Sequence, residues 1–97
     1  MHTRATTFKF HQDRVEEGVQ FFNDINVQTL KGIREAYLLV DRATGEGMTI
    51  TIWDSEDDMQ AASTFAREAF ARMSDLLDGS PSPKTYEVAV HESGVLA

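Results

Sequence analysis

The chain has 97 residues, 41% of them apolar and 26% charged, the balance of one soluble globular domain. Sixteen acidic against nine basic residues give a net charge of −7, which repels a phosphate backbone and argues against nucleic acid as a partner. The absence of cysteine removes disulfides, thiolate nucleophiles and cysteine metal sites. No apolar run approaches the ~20 residues of a membrane span, and the N-terminal MHTRATT lacks the apolar core of a secretion signal, so a cytoplasmic protein with no membrane partner is expected.

Residues 3–11 alternate Phe8 and Phe10 against Thr7, Lys9 and His11, the period of a strand with one buried face. Asp13 and Glu16 are spaced as a capping box. The helix expected after them carries Val15, Val19, Phe22, Ile25 and Leu30 on one stripe and closes at Gly32. Residues 33–41, with Tyr37, Leu38, Leu39 and Val40, read as a second strand, and Gly45 and Gly47 turn it into a third, MTITIWD. Gly45-Glu46-Gly47 enters a strand rather than opening a helix, which excludes a phosphate-binding loop.

Ser55 and Asp58 cap a second helix, with Glu56, Asp57 and Asp58 at the positive end of its dipole. Its apolar stripe runs from Met59 through Phe65 and Phe70 to Leu77, and Gly79 ends it. After Ser80-Pro81-Ser82-Pro83, residues 84–92 alternate Tyr86, Val88 and Val90 as a fourth strand, and 93–97 form a short tail.

The order βαββαβ specifies a single ferredoxin-like α+β domain over 1–97, with its core at about 3–92. It has a four-stranded antiparallel sheet in the order 4-1-3-2 and both helices on one face. The sets Phe8/Phe10, Met48/Ile50/Ile52 and Tyr86/Val88/Val90 are expected under the helices. Trp53, Thr49, Thr51, Thr85 and Glu87 are expected on the open face, together with either Leu38 and Val40 or Tyr37 and Leu39, depending on hairpin register. A half-apolar open face of roughly 400 Å² predicts a homodimer packed sheet to sheet. Lys9 and Glu87 are expected as a cross-strand pair on that face.

Among polar and aromatic groups, Trp53 and His91 are placed at the same end of the open face, about 10 Å apart across two strand spacings. An indole can stack on an aromatic ligand, and an imidazole can take a proton near neutral pH, so Trp53 is a candidate ligand contact and His91 a candidate catalytic base. Tyr37 is a second candidate ligand contact. The carboxylates at Asp54, Glu56, Asp57 and Asp58 read as solvated charges on a helix N-terminus, and His2, His11 and His91 lack ligand spacing, so no metal is expected. No nucleophile elbow is present, which leaves hydrolysis unsupported.

The stretch GIREAYLLVDRATGEGMTITIWDSEDDMQAA, residues 32–62, resembles the antibiotic biosynthesis monooxygenase-like family of the dimeric α/β barrel superfamily. The shared features, in order, are a glycine, an aromatic strand, a glycine-containing hairpin and a T-x-W-[DE]-S-x-[DE] segment. The resemblance implies a homodimer enclosing a barrel-like space, and oxidation of a small hydrophobic aromatic compound by O₂ with no bound cofactor. In heme-degrading relatives an Asn on the first strand and a Trp and a His on the second helix carry the site, and residues 3–11 and 56–77 of this chain lack them. The alternative is a non-catalytic dimeric module for small-ligand binding or assembly. A closed pocket of roughly 300 Å³ or more, with Trp53 or His91 on its wall and a second polar group converging on the same point, would favour the enzyme, whereas a barrel interior filled by side chains would favour the module.

Overall fold

The computed structural model describes residues 1–92 and Gly94; apart from Gly94, the expected tail at 93–97 lies outside the described residues. Strand β1 (His2–Lys9) leads through α1 (Val15–Asp24) to β2 (Ile33–Val40) and β3 (Glu46–Trp53). Helices α2 (Glu56–Ala61) and α3 (Ser63–Arg72) then precede β4 (Ser82–Glu87). The sheet order is β2-β3-β1-β4 with every neighbouring pair antiparallel, which is the expected ferredoxin-like topology read from the other edge. Among the described residues no helix is long and apolar enough to cross a membrane.

The helices differ from the sequence expectation in their ends. Asp13 forms no side-chain cap, and α1 stops at Asp24, where Ile25 turns extended. A separate short turn at Val27–Thr29 then leads to Gly32. Asn23, Asp24 and Asn26 are weak helix formers, and Ile25 and Val27 are stiff at χ1, so the apolar stripe outlasts the helix. The cap at Ser55 forms as expected, its hydroxyl accepting from the Asp58 N–H at 3.1 Å. The long helix behind it is interrupted at Ala62, which divides it into α2 and α3.

At one end of the sheet the core is closely filled. Phe8, Phe10, Val15, Met73, Leu76 and Leu77 are buried together, and the Phe8 ring meets those of Phe10 and Phe70 edge to face at 5.0 and 5.5 Å. α1 comes this close because Gly18 has no side chain. A Cβ there would lie 2.3 Å from the Phe10 ring.

Register determines which side each strand residue faces. His2 lies opposite Trp53, Arg4 opposite Thr51, Thr6 opposite Thr49 and Phe8 opposite Gly47, and directly opposed residues project to the same face. Arg4, Thr6, Phe8 and Trp53 are buried, so this is the helix side. Met48, Ile50 and Ile52 therefore lie on the open face, joined by Tyr37 and Leu39 from β2 and by Tyr86 from β4. This reverses the expectation for β3, including the open-face placement of Trp53, and for Tyr86. Alternation separates the two sets but does not say which is inside. The position of Gly47 decides it: a Cβ there would lie 2.6 Å from the Phe8 ring. With the glycine under Phe8, residues 49, 51 and 53 follow on the helix side.

Two smaller expectations are also corrected. β4 ends at Glu87 rather than 92, because β1 has no residue left to pair with it; the Val88 N–H to the Met1 carbonyl, 2.9 Å, is the last rung. Lys9 opposes Glu46 and Glu87 opposes His2, at opposite ends of β1, so Lys9 and Glu87 do not form a pair.

Candidate functional site

Toward the other end of the sheet the space between the layers is left partly empty. A cavity of about 410 Å³ lies between the helix side of the sheet and helices α1 and α3. Phe22 from α1, Phe65 and Phe70 from α3, and Trp53 from β3 give it aromatic walls, and Leu30 and Leu38 add aliphatic surface. Its polar groups rise mainly from the two central strands: Arg4, Thr6, Thr49 and Thr51. This mix, mostly apolar with a few converging polar groups, is the usual make-up of a small-molecule site.

Trp53 is 2% exposed and packs against Met59 and Ala62. Its indole N–H donates to the Thr51 hydroxyl at 2.9 Å. With the donor engaged, the ring offers a ligand its flat face rather than a hydrogen bond, and the Thr51 contact holds the ring plane in place.

Arg4 is 9% exposed. Its Nη2 donates to the Met59 carbonyl at 3.1 Å, and it forms no ion pair with any acidic side chain among the described residues. Burial pulls its pKa below the ordinary arginine value, yet a guanidinium stays charged throughout the physiological range. At the cavity rim stands a second arginine, Arg42, whose Nε donates to Glu16 at 2.7 Å. Among the described residues no Asp, Glu or His lines the cavity, although the chain carries sixteen acidic residues.

The candidate residues read from the sequence are distributed unevenly about this cavity. Trp53 is on its wall. Tyr37 borders it from β2, but its register opposite Ile50 projects the side chain to the open face, where it is 47% exposed. There a hydrogen bond with Glu35 and the charge of that carboxylate push the phenol pKa up. His91 is exposed beyond the end of β4 and is not part of the cavity wall. The cavity wall also includes Arg4 and Thr6, which are not among those candidates. The signal was present, because positions 4 and 6 continue the alternation of Phe8 and Phe10 and share their face.

Comparison with known proteins bears on the fold. A structure from Deinococcus radiodurans, a candidate antibiotic biosynthesis monooxygenase, superposes with a TM-score of 0.78 at 14% identity and full coverage of both chains. The chain has the antibiotic biosynthesis monooxygenase fold. The same fold is found in Rv0793 of Mycobacterium tuberculosis, with a TM-score of 0.75, 14% identity and 95% and 98% coverage of this chain and that one. It is found too in the heme-degrader MhuD of that organism, which holds two hemes in its active site, with a TM-score of 0.76, 19% identity and 96% and 100% coverage. In sequence, the uncharacterised protein Rv2557 of M. tuberculosis strain H37Rv is 23% identical over 92 residues, 92% of this chain. MT2634 of strain CDC 1551 matches to the same extent, and the chain spans 41% of the length of these relatives. No family model matches the chain.

Proposed function

We propose that the chain binds a small planar aromatic compound in the cavity between sheet and helices and oxidises it with O₂, without a bound cofactor. The observation that carries this reading is the cavity itself: about 410 Å³, walled by Trp53 and three phenylalanines, on a fold shared with a candidate antibiotic biosynthesis monooxygenase. For an anthrone-like substrate a ring CH₂ and O₂ become a ketone and water. The substrate supplies all four electrons, so no external reductant enters. The Trp53 face and the aromatic walls exclude water and hold the ring, while ionisation of the substrate makes it electron-rich enough to react with O₂. Heme does not suit this wall, which offers no histidine to the iron.

A second copy completes the assembly in this reading. The open face carries Met48, Ile50 and Ile52 beside Leu39, Tyr37 and Tyr86, the last three 47%, 47% and 51% exposed. A contiguous apolar face of this kind is normally covered. Light scattering at micromolar concentration is expected to give the mass of two chains, and Ile50→Asp the mass of one; a monomeric wild type would refute the dimer. A cytoplasmic location accords with an acidic chain that has no cysteine.

Oxygen uptake with a panel of anthrones and naphthols tests the chemistry. Wild type is expected to consume O₂ with at least one of them, and Trp53→Phe to slow it. His91→Ala tests the proton acceptor nominated from the sequence; unchanged turnover would assign deprotonation to solvent. The second reading, a non-catalytic ligand-binding module, is favoured by the lack of any Asp, Glu or His on the cavity wall. Tight binding of these compounds without protein-dependent uptake would establish it.

A further inference from the structure

We propose that Arg4 receives an oxyanion of the ligand, so that the compounds this cavity selects are aromatic carboxylates or ionised phenols rather than neutral aromatics. This deepens the reading of the cavity as an aromatic-binding site and rests on it. A buried cation without a counter-charge is costly, and folded proteins ordinarily pair such a group. Arg4 has one hydrogen bond, to a backbone carbonyl, and no acidic partner among the described residues.

Among the described residues no fully occluded side-chain nitrogen lacks a partner. The Arg4 nitrogens that make no hydrogen bond therefore keep access to open space, and Arg4 borders both this cavity and a second one that it shares with Ser63, Arg67 and Lys84. Arg4 lies on the same face as Thr6, Thr49 and Thr51, whose hydroxyls can add donors. A guanidinium fork with free N–H groups matches the two oxygens of a carboxylate, or the single oxygen of a phenolate, in a desolvated setting that strengthens the contact.

The charge balance of the cavity points the same way. Among the described residues its wall holds two arginines, of which Arg42 is paired with Glu16, and no acidic side chain, in a protein of net charge −7. Among the described residues an anion entering it meets no acidic side chain on the wall, whereas a cation would meet like charge from Arg4 and only aromatic faces to offset it. Ionisation favoured by Arg4 would also supply the electron-rich form of a phenol without a protein base, which the wall lacks.

Isothermal titration calorimetry with 2-naphthoate and its neutral analogue 2-naphthamide tests the assignment. Wild type is expected to bind the naphthoate at least tenfold more tightly at pH 7, with a preference that declines as salt rises. Arg4→Gln should abolish the preference, the affinity for naphthoate falling to that for naphthamide, and Arg4→Lys should retain part of it. Equal binding of both probes by wild type, or a preference that survives in Arg4→Gln, overturns the role of Arg4 and leaves the cavity standing. Binding of neither probe overturns the aromatic-site reading and this proposal together.

If Arg4→Gln fails to fold, as circular dichroism would show, the wild-type difference between the probes and the Arg4→Lys result decide the matter. A 2-naphthol titration separates the two ligand sources. A lowered pKa for the bound naphthol, read from its absorbance, assigns phenols to the site; an unshifted pKa beside tight naphthoate binding restricts the class to carboxylates.

Discussion

The two ends of β1 meet the helices in different ways. Phe8 and Phe10 are buried in a cluster with Val15, Met73, Leu76 and Leu77, whereas Thr6 and Arg4, the next two residues on that face, look into a cavity of about 410 Å³. One strand thus packs the core at one end and supplies polar groups to a cavity wall at the other. The change from packed to hollow takes a shift of two residues. Substitutions at the packed end should act on folding, and those at the hollow end on binding.

The largest loss of stability is expected at the packed end from Phe10→Ala. Removing a fully buried aromatic of this size costs about 3–5 kcal/mol, a large share of a small domain's stability, measurable as the shift in a urea unfolding curve. Gly18→Ala comes next. In an ordinary helix that change is worth about 0.5–1 kcal/mol of stabilisation. Here the new methyl would fall 2.3 Å from the Phe10 ring, and overpacking of about 1–3 kcal/mol dominates. A thermal melt should therefore show a lower midpoint, and a higher one would mean that the packed end has slack.

At the hollow end, Thr51→Val keeps the side-chain shape but removes the acceptor of the Trp53 indole N–H. The loss is expected to be about 1–2 kcal/mol, accompanied by a larger proportional loss of naphthalene binding in calorimetry. An effect on stability alone would place Trp53 in the core and not in the site.

The smallest effect concerns the exposed Arg42–Glu16 pair at the cavity rim. Arg42 lowers the Glu16 pKa through a hydrogen bond and its charge. The folded-state value is thus below the ordinary 4.5, so this contribution is present above that pH and is lost as pH falls through the folded value. Arg42→Ala should reduce stability slightly at pH 7, and its difference from wild type should vanish in more acidic solution. A difference that persists after the carboxylate is protonated would point to packing of the arginine stem instead.

Legibility from the sequence followed the strength of the local signals. The sheet order, the β2–β3 hairpin, the Ser55 cap and the burial of Phe8 and Phe10 all rest on short-range patterns and were read correctly. The helix ends were read less well, because the apolar stripe from Ile25 to Leu30 continues after the backbone has left the helix. Trp53, expected on the open face, lies on the helix side and borders the cavity. The isoleucines of β3 looked like core because apolar residues usually are, and the threonines like surface because polar residues usually are. Neither rule anticipates a cavity that needs hydroxyls or an outer sheet face rich in apolar side chains.

By itself, then, the amino-acid order determined the elements and their topology, since strand period, capping residues and turn glycines act within a few positions of the chain. Tertiary structure alone decided which side of β3 faces the helices, because that depends on Gly47 sitting beneath the Phe8 ring, a contact between residues far apart in sequence. From that one register follow the cavity, the buried arginine with no acidic partner among the described residues, and the apolar outer face. Steric fit between distant residues, which no local pattern encodes, sets all three.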